Sequence, residues 1–587
     1  MVGVTSAGDR MSQTEQEGTA SLAPLPFCHA ETCHAETMSH TEELLESVVA
    51  NTTTDFSTTD PSTMDPSTTD PSTTDPSTMD PSTMDSSTTD SALWQQVVDA
   101  IERARIAQIS WNAQPLGKRL QILRDLRLEI GRHPRPLAET VGREDLAQTL
   151  AAEVLPLADA CRYLELHATV LLRDRVVSTR GRPVWLWGTH VRLRREPFGV
   201  VLVIGPANYP LMLPGIQAIQ AITAGNVVLI KPGYGGERAA RGLVERAERA
   251  GLPSGVIQVL PESPQAASFA IQNGVDKVIL TGSVGAGQAV SGQTARQGIP
   301  AVMELSGCDP LFALDDADPK LVSDCLVFGL TLNQSHTCIA PRRVFASDSM
   351  ATAILAKLLP QLQAHKPTID FDTDTAKQPA AVLAQEERII ERIRAATAAG
   401  ARLLTEAIEV IEGHPRLVRP AVLDGVRPEM EIVLADPFAP VVSFLRVGDP
   451  AEAVAAARAC PLALGASIFG SPARCQQLAD QLDAGVVVIN DLIAATADPR
   501  VPFGGRRQSG YGVTRGAAGL EEMTQLKAII SVRPWFRPHL QSPTPVDADV
   551  LEQLIRIEHA ANGLAKLRAS FRMLSKCWAQ IQFRKSP

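Results

Sequence analysis

The chain has 587 residues, of which 44% are hydrophobic, and a formal net charge of -10. This length and apolar content can bury at least two sizeable cores, which excludes a lone small binding module. The acidity is concentrated at the N-terminus. Residues 1–92 carry sixteen Asp and Glu against Arg10 alone, a net of -15, so the remaining chain has a net charge of +5. Because Lys and Arg form no dense cluster with interleaved aromatic residues, nucleic acid is excluded as a partner.

The cysteines and the N-terminus bear on the compartment. Nine cysteines are scattered along the chain without the spacing of a disulfide framework, and free thiols are typical of a reducing compartment. The N-terminus has no basic start followed by an apolar run, and no stretch of eighteen apolar residues occurs. The sequence therefore predicts a cytoplasmic protein.

Residues 1–91 are predicted to form a disordered, acidic, low-complexity tail. From Asp60 to about Asp90 the chain repeats Asp-Pro-Ser-Thr followed by Thr or Met, and such a segment cannot build a core. Upstream, Cys-His-Ala-Glu-Thr occurs twice in tandem from Cys28 to Thr37. Two Cys/His pairs can in principle bind a metal, but a short repeat in a disordered tail is the simpler interpretation, and no metal site is predicted.

The rest of the chain shows an α/β pattern. Order is expected to begin near Ser91, and helical spacing continues to about His167. From Val191, short apolar runs alternate with helical patterns, which favours a parallel sheet with flanking helices. The sequence therefore predicts two α/β domains that meet at a cleft, over residues 92–304 and 305–498. The predicted strands include Val200 to Ile204, Val227 to Ile230, Val256 to Leu260, Lys277 to Thr281 and Val441 to Phe444.

Beyond these domains we expect a return segment over residues 499–535 and a C-terminal tail over residues 536–587. The tail has a helical pattern from about Val550 to Phe583, with one apolar face and several basic residues. Such a helix packs on its own protein, contacts another subunit or lies on a membrane surface. The apolar face comprises Leu564, Leu567, Phe571, Leu574 and Trp578, and the basic residues are Lys566, Arg568, Arg572, Lys576, Arg584 and Lys585.

Three turns after predicted strands carry groups that suit an acyl or nucleotide site. Asn208 lies in the turn over residues 205–210, where its amide can donate to a developing oxyanion or simply hold the turn. Lys231 ends the next strand, where it can bind a nucleotide's hydroxyls or phosphate or remain solvated. A third strand runs into Thr281-Gly282-Ser283-Val284-Gly285-Ala286-Gly287. These small residues can open a helix whose amides bind a pyrophosphate, or they form only a turn.

Further motifs follow in order along the chain. Met303-Glu304-Leu305-Ser306-Gly307 precedes Asn333-Gln334-Ser335-His336-Thr337-Cys338-Ile339-Ala340-Pro341. Downstream come Asp436-Pro437-Phe438-Ala439-Pro440-Val441 and Pro502-Phe503-Gly504-Gly505 with Ser509-Gly510-Tyr511-Gly512. With these motifs, the sequence over about residues 92–535 resembles the aldehyde dehydrogenase superfamily. The interval of 34 residues between Glu304 and Cys338 matches the family's glutamate-to-cysteine spacing.

The resemblance implies a Rossmann-like cofactor domain, a second α/β catalytic domain and NAD(P)-dependent oxidation of an aldehyde. In the implied mechanism the thiolate of Cys338 attacks the aldehyde carbon, and the amide of Asn208 stabilises the resulting oxyanion. A hydride then leaves for NAD or NADP. Glu304 takes a proton from water and directs the water at the thioester, which releases a carboxylic acid.

The resemblance also implies cofactor contacts, and several positions depart from the family pattern. Tyr234 replaces a glutamate that many NAD-preferring members carry, so NADP is expected to be accepted. Ala207 replaces a tryptophan beside the oxyanion asparagine. His336 replaces a glutamine, and there an imidazolium can lower the thiol pKa or the ring can simply pack. The implied cofactor residues are Lys231 for the adenosine ribose, Gly282, Ser283 and Gly287 for the pyrophosphate, and Asp436 with Phe438 for the nicotinamide riboside.

Two alternatives to a hydrolytic enzyme stay open. A coenzyme-A-acylating or reductive relative would pass the thioester to another acceptor, but many such relatives lack the carboxylate of Glu304. A non-catalytic scaffold would keep the fold, but the joint presence of Glu304 with Asn208 and Cys338 argues against it. Most relatives are dimers or tetramers, and the segment from Leu526 to Val532 is our candidate for intersubunit pairing. The chain looks most similar to the class 3 branch, which handles medium-chain and aromatic aldehydes.

Overall fold

A computed structural model describes residues 88–585, except 184, 185, 187, 365–379, 412, 533–537, 541 and 543. The predicted tail up to residue 87, with its acidic repeat and its two Cys/His pairs, lies outside the described residues. The first helix among the described residues begins at Thr88, three residues before the predicted boundary at Ser91. The segment Thr88-Thr89-Asp90 places an acidic residue in the first turn, which stabilises a helix N-terminus.

A helical region comes first in the described chain, as the spacing of apolar residues predicts. The buried indole of Trp111 donates a hydrogen bond of 3.0 Å to the main-chain oxygen of Ile222 and so attaches the helix Thr88–Asn112 to the helix Met212–Ala224. The helices are α1 (Thr88–Asn112), α2 (Leu116–Arg132), α3 (Pro134–Ala138), α4 (Leu146–Thr149) and α5 (Leu155–Leu171), and two strands follow, β1 (Arg175–Val176) and β2 (Thr189–Pro197).

The first large sheet has six strands in the order β19-β7-β6-β3-β4-β5. All neighbours pair in parallel except β19, which is antiparallel to β7. Every residue of β3 and β4 is buried, as expected for parallel strands covered by helices on both faces. The strands are β3 (Val200–Ile204), β4 (Val227–Lys231), β5 (Ile257–Val259), β6 (Lys277–Gly282), β7 (Ala301–Leu305) and β19 (Gly510–Tyr511), and the helices are α6 (Met212–Ala224), α7 (Glu237–Arg249), α8 (Pro264–Gln272) and α9 (Val284–Gln297).

The second large sheet has seven strands in the order β10-β13-β14-β9-β8-β16-β17, parallel except for β10. Side chains alternate between two cores: Leu311 enters one and Phe312 the other. Phe312 stacks on Phe345 of the neighbouring strand, with ring centroids 5.2 Å apart. The strands are β8 (Asp309–Ala313), β9 (Pro341–Ala346), β10 (Arg402–Leu403), β13 (Ala421–Asp424), β14 (Val441–Arg446), β16 (Gly465–Phe469) and β17 (Val486–Ile489).

Helices and two small ribbons complete this second region. The predicted boundary after residue 304 falls at the end of β7, and β8 already belongs to the second sheet. The helices are α10 (Pro319–Thr331), α11 (Asp348–Ala364), α12 (Ala380–Ala398), α13 (Pro450–Arg458) and α14 (Pro472–Ala479). The ribbons are β11 (Ile408–Ile411) with β12 (His414–Leu417), and β15 (Leu462–Ala463) with β18 (Arg506–Arg507).

After α15 (Gly516–Glu522), a long strand, β20 (Thr524–Val532), forms a three-stranded antiparallel sheet in the order β1-β2-β20. It pairs with β2 over nine residues, from Thr189 opposite Val532 to Pro197 opposite Thr524. The predicted pairing segment from Leu526 to Val532 therefore lies in β20. Within the described chain one edge of β20 has no partner strand.

The C-terminal tail forms two helices, α16 (Pro545–His559) and α17 (Gly563–Lys585), rather than the single helix that its pattern predicts. The break has a local cause, because the side chain of Asn562 accepts a hydrogen bond of 2.7 Å from the amide of Ala565 and so caps a new helix. Among the described helices, none combines the length and the apolar character that a membrane crossing requires.

Candidate active site

Four of the predicted site residues lie at one edge of the first sheet. Asn208 follows β3, Lys231 ends β4, Ser283 follows β6 and Glu304 lies near the end of β7. These strands are parallel and adjacent, so their carboxyl ends meet at the same edge. Ligand sites of open α/β sheets form at this edge, which explains why residues almost one hundred positions apart come together.

Cys338 lies in a loop between α10 and β9 whose backbone is unusual. Asn333, Gln334 and Ser335 have positive φ angles of 49°, 52° and 60°, which are uncommon for residues with side chains and cluster at functional sites. The buried guanidinium of Arg342 holds this loop, since it donates to the hydroxyl of Ser335 at 2.7 Å and to its main-chain oxygen at 2.8 Å. The position of the cysteine is thus determined by a fixed loop.

The structure brings Asn208 to the cysteine loop. The Asn208 amide donates to the main-chain oxygen of His336 at 2.8 Å, and the Asn333 amide donates to the main-chain oxygen of Asn208 at 3.0 Å. The next residue strengthens the contact, since the hydroxyls of Tyr209 and Thr337 lie 2.6 Å apart. The Asn208 amide group has a second hydrogen, which is the one that an oxyanion would need.

A buried ion pair from the helical region supports the Asn208 turn. Glu153 accepts from the amides of Leu211 and Met212 at 3.0 and 2.8 Å, and Arg143 pairs with Glu153 at 2.9 Å. Arg143 also donates to the main-chain oxygen of Asn208. Burial raises the pKa of Glu153, while Arg143 and the two amides oppose that shift. No sequence motif predicts the roles of Arg143 and Glu153. Only the fold brings the N-terminal helical region against the Asn208 turn.

Glu304 is fully enclosed. One carboxylate oxygen accepts from the hydroxyl of Thr281 at 3.0 Å and from the amide of Gln217 at 3.3 Å, and the other accepts from the hydroxyl of Thr514. Burial raises the pKa of Glu304, and the nearby cation of Arg515 together with these hydrogen bonds lowers it less than burial raises it. A carboxyl group with a raised pKa is suited to proton transfer near neutral pH.

The thiol of Cys338 is protonated in this environment. Burial raises its pKa to about 12, the carboxyl groups of Asp309 and Glu304 contribute in the same direction, and Arg515 opposes them. Of the two interpretations of His336, the imidazolium is disfavoured, because burial and nearby cations lower its pKa to about 4 and leave it neutral at neutral pH. Its ring packs 5.5 Å from the ring of Phe438, so the packed histidine is the interpretation that the structure favours.

Asp309 is buried near Cys338, whose pKa it helps to raise, and no sequence motif predicts this position. Two glycines leave room for it, since a Cβ on Gly307 or Gly465 would lie 2.3 Å from its carboxylate oxygens. A Cβ on Gly307 would also lie 2.8 Å from the main-chain oxygen of Cys338. Burial raises the pKa of Asp309 to about 7.

Thr514 and Arg515 are functional neighbours that the sequence did not single out. They follow Ser509-Gly510-Tyr511-Gly512, which pairs antiparallel with the Glu304 strand: Gly510 lies opposite Glu304, and Leu305 donates to the main-chain oxygen of Ser509. Arg515 is buried, donates to the main-chain oxygen of Thr496 at 2.9 Å, and stacks on Phe503. The motif Ser509-Gly510-Tyr511-Gly512 could have predicted these two neighbours of Glu304. It pairs with the Glu304 strand, so the residues that soon follow it lie close to Glu304.

Lys231 and Ser283, which are predicted to contact the nucleotide, have environments that are compatible with this role. Lys231 is largely buried, and burial lowers its pKa while Glu262 opposes that shift. The turn after it approaches the Asn208 turn closely, because a Cβ on Gly233 would lie 2.2 Å from the backbone of Pro206. Ser283 caps α9 by accepting from the amide of Ala286 at 3.2 Å. The N-terminus of α9 is therefore well formed, and its amides could bind an anion such as a pyrophosphate.

Gly282 and Gly287 are placed differently from each other. Gly282 lies at the end of β6, directly before the capping serine. Gly287 is buried against β7, where a Cβ would lie 2.4 Å from a methyl group of Leu305. Gly287 therefore allows α9 to pack closely on β7. This packing sets the position of the start of α9.

The hydrogen bonds of Asp436 indicate whether this site could bind the hydroxyl groups of a cofactor. One of its oxygens accepts from Arg342 at 3.0 Å and from the amide of Phe438 at 2.8 Å. The other oxygen is buried and has no hydrogen-bond partner, and a buried acceptor without a partner is costly. A ribose hydroxyl would supply the missing donor, so Asp436 fits the predicted contact with a nucleotide sugar.

The fold has two largely parallel α/β sheets, and a cysteine loop, a buried carboxyl group and a helix start suited to a nucleotide meet between them. These features are typical of one class of protein, the dinucleotide-dependent oxidoreductases. The comparisons with known proteins agree. The profile of the aldehyde dehydrogenase family matches residues 68–529. The chain is 31% identical over 424 residues to a 4,4'-diapolycopene aldehyde oxidase of Methylomonas sp, covering 72% of this chain and 78% of the relative. It is 30% identical over 440 residues to a betaine aldehyde dehydrogenase of Sinorhizobium fredii, covering 74% and 88%.

Solved structures show the same fold with either cofactor. An NADP-dependent glyceraldehyde-3-phosphate dehydrogenase from Bacillus halodurans, complexed with NADP, superposes with a TM-score of 0.67 at 28% identity and covers 75% of this chain and 91% of its own. An indole-3-acetaldehyde dehydrogenase of P. syringae in complex with NAD+ and IAA superposes with a TM-score of 0.67 at 25% identity and covers 75% and 89%. The chain belongs to the aldehyde dehydrogenase family, and it is an NAD(P)-dependent aldehyde dehydrogenase. The α/β fold and the family that the motifs predict are thus confirmed.

Proposed function

We propose that the enzyme oxidises its aldehyde by a hydrolytic route in which Cys338 is the nucleophile, Asn208 binds the oxyanion and Glu304 activates water. The observation that carries the proposal is the convergence of these three residues from the β3 turn, β7 and the loop before β9. Asn208 is hydrogen-bonded to the cysteine loop, and Glu304 is close enough to Cys338 to raise the pKa of its thiol.

The chain's own residues account for each step. The thiol of Cys338 gives its proton to a water molecule as its sulfur bonds to the aldehyde carbon, and the carbonyl oxygen becomes an oxyanion beside the Asn208 amide. Bound NAD or NADP would accept the hydride, which leaves a thioester on Cys338. Glu304 then removes a proton from water, the hydroxide adds to the acyl carbon, and the thiol leaves as the carboxylic acid forms.

The test of this route is the formation of reduced cofactor with NAD or NADP and a panel of aliphatic and aromatic aldehydes. We expect turnover without coenzyme A and a carboxylic acid product in equal amount to the reduced cofactor. Turnover that requires coenzyme A and yields an acyl thioester would contradict the hydrolytic route in favour of an acylating enzyme. A folded protein that forms no reduced cofactor under either condition would favour a scaffold.

We further propose that Glu262 makes the enzyme prefer NAD to NADP. Tyr234, which replaces the usual glutamate, is exposed, and its side chain has no carboxylate. Glu262 follows the neighbouring strand β5. Its carboxylate accepts from the amides of Gly235 and Glu237 at 2.9 and 2.8 Å and opposes the lowering of the Lys231 pKa. A carboxylate beside the lysine that binds the ribose would repel a 2'-phosphate.

The cofactor preference can be measured by binding alone. We expect the Kd for NAD to lie below that for NADP in a calorimetric titration without aldehyde. Glu262→Gln removes the charge but keeps an oxygen acceptor, so it is expected to tighten NADP binding by about tenfold and to change NAD binding much less. Glu245→Gln, at an exposed position of α7, is the matched control. A ratio of the two Kd values that Glu262→Gln leaves unchanged would refute the role of Glu262.

We propose a homo-oligomer in which β20 pairs across the interface. Its outer edge carries no strand within the described chain, and Leu526, Ile530 and Val532 are exposed on it. An exposed, apolar edge strand is a template for pairing with another chain. The compartment is proposed to be the cytoplasm, because the proposed route requires a reduced Cys338 and all seven cysteines among the described residues are unpaired.

A further inference from the structure

The C-terminal hairpin, residues 545–585, lies beyond the part of the chain that matches the family, which ends at residue 529. Its helices α16 and α17 run antiparallel and pack on each other, and Lys576 pairs with Asp549 at 2.5 Å across them. Among the described elements, no other makes an extensive contact with either helix. The hairpin is therefore an appendage with its own surface.

The large apolar side chains of α17 point away from α16. Small residues pack inward, as shown by Ala569, which is 2% exposed. On the opposite side the exposed fractions run from 54% to 67%. These outward residues, which we call the apolar stripe, are Leu564, Leu567, Phe571, Leu574 and Trp578.

The stripe follows one side of α17 from Leu564 to Trp578. Its members alternate at spacings of three and four residues, which keeps them on one side of the helix. Leu551 and Ile555 of α16 are also exposed, at 56% and 61%. A contiguous apolar surface of this kind marks an interaction site.

The charges of α17 indicate what covers the stripe. This helix contains six Lys and Arg and no Asp or Glu. Arg568 and Arg572 are exposed and flank Phe571 in sequence. A second copy of α17 against the same stripe would bring two strongly cationic helices together without an acidic residue to pair them. An anionic surface is complementary to this helix.

We propose that the hairpin binds the surface of an anionic phospholipid bilayer through the apolar stripe and the basic residues beside it. Leucine, phenylalanine and tryptophan enter the boundary between headgroups and acyl chains, and arginine side chains bind the phosphates. The hairpin lies on the bilayer rather than crossing it, because α17 is polar on its other side and pairs with α16. The inference is independent of the catalytic route, since no residue of the active site takes part.

The test uses the full chain in co-sedimentation with lipid vesicles. We expect sedimentation with phosphatidylcholine vesicles that contain phosphatidylglycerol, and little with phosphatidylcholine alone. Arg568→Glu with Arg572→Glu should weaken binding at least about tenfold, and so should Phe571→Ser with Trp578→Ser. The matched control is Arg388→Glu with Arg394→Glu, the same charge change at exposed positions of α12, which should bind as the parent does.

All variants should oxidise aldehyde in lipid-free solution at the parent rate, which separates this proposal from the catalytic one. Three results would overturn it: no sedimentation of the parent with anionic vesicles, equal sedimentation of the arginine variant and its control, or unchanged binding of the stripe variant. Self-association of the parent in lipid-free solution that Phe571→Ser with Trp578→Ser abolishes would assign the stripe to a second copy instead.

Discussion

Replacement of Cys338 by alanine is expected to lower the rate of reduced-cofactor formation by at least about 10⁴-fold, the scale on which removal of a catalytic nucleophile acts. The side chain is the only group at this position that can form the thioester, so no partial activity through the same route is expected. The fold should survive, because the loop is held by Arg342 through Ser335 and not by the thiol.

The measurement is the rate of cofactor reduction with saturating aldehyde, together with mass spectrometry of the acylated enzyme after rapid quenching. Cys325→Ala is the matched control, since this half-buried cysteine lies on α10, outside the cysteine loop. The parent and the control should carry an acyl group on Cys338, and the Cys338→Ala chain should carry none. Acylation or steady turnover in the Cys338→Ala chain would show that another residue is the nucleophile.

Replacement of Glu304 by glutamine is expected to stop the enzyme after one turnover. The thioester should form with one equivalent of reduced cofactor, and its hydrolysis should fall by about 10²- to 10⁴-fold, the usual contribution of a general base. Glutamine keeps the shape and can still accept from Thr281 or Thr514, which donate to Glu304 in the parent. The loss would therefore report the missing base and not a collapsed site.

The pH profile supplies a second readout for Glu304. Burial raises the pKa of this carboxyl group, so the base form is lost as the pH falls through that raised pKa, and the parent's hydrolysis rate should fall with it. In Glu304→Gln this inflection should be absent from the slow hydrolysis. Hydroxylamine, a nucleophile that needs no general base, should release the stalled acyl group. A Glu304→Gln chain that turns over steadily, with the parent's pH profile, would assign the base role elsewhere.

The proposed membrane surface bears on the substrate of this enzyme. A bilayer concentrates apolar aldehydes, and an enzyme held at its surface meets them without their release into water. One relative is named a 4,4'-diapolycopene aldehyde oxidase and another a betaine aldehyde dehydrogenase. Family membership alone therefore does not select the substrate.

The sequence by itself determined the architecture and the family, and it supplied the reacting groups that we propose. Strands such as Val200–Ile204 are apolar throughout because both faces of a parallel sheet are covered, so their composition alone predicts their class and position. Glu304 and Cys338 could be proposed because each lies in a short motif and the two are separated by a defined interval, although Glu304 belongs to the first large sheet and Cys338 precedes a strand of the second. These predictions depend on local patterns and on chain order.

Only the tertiary structure decided what surrounds those groups. The neutrality of His336 and the high pKa of Cys338 follow from burial, which no local pattern encodes. Glu262, which we propose as a substitute for the acid missing at Tyr234, follows a different strand, so its proposed role depends on strand order and not on sequence distance. The apolar stripe on α17 faces outward because the small residues of that helix, and not the large ones, fit against α16. Helical periodicity predicts that a face exists, but packing decides what that face contacts.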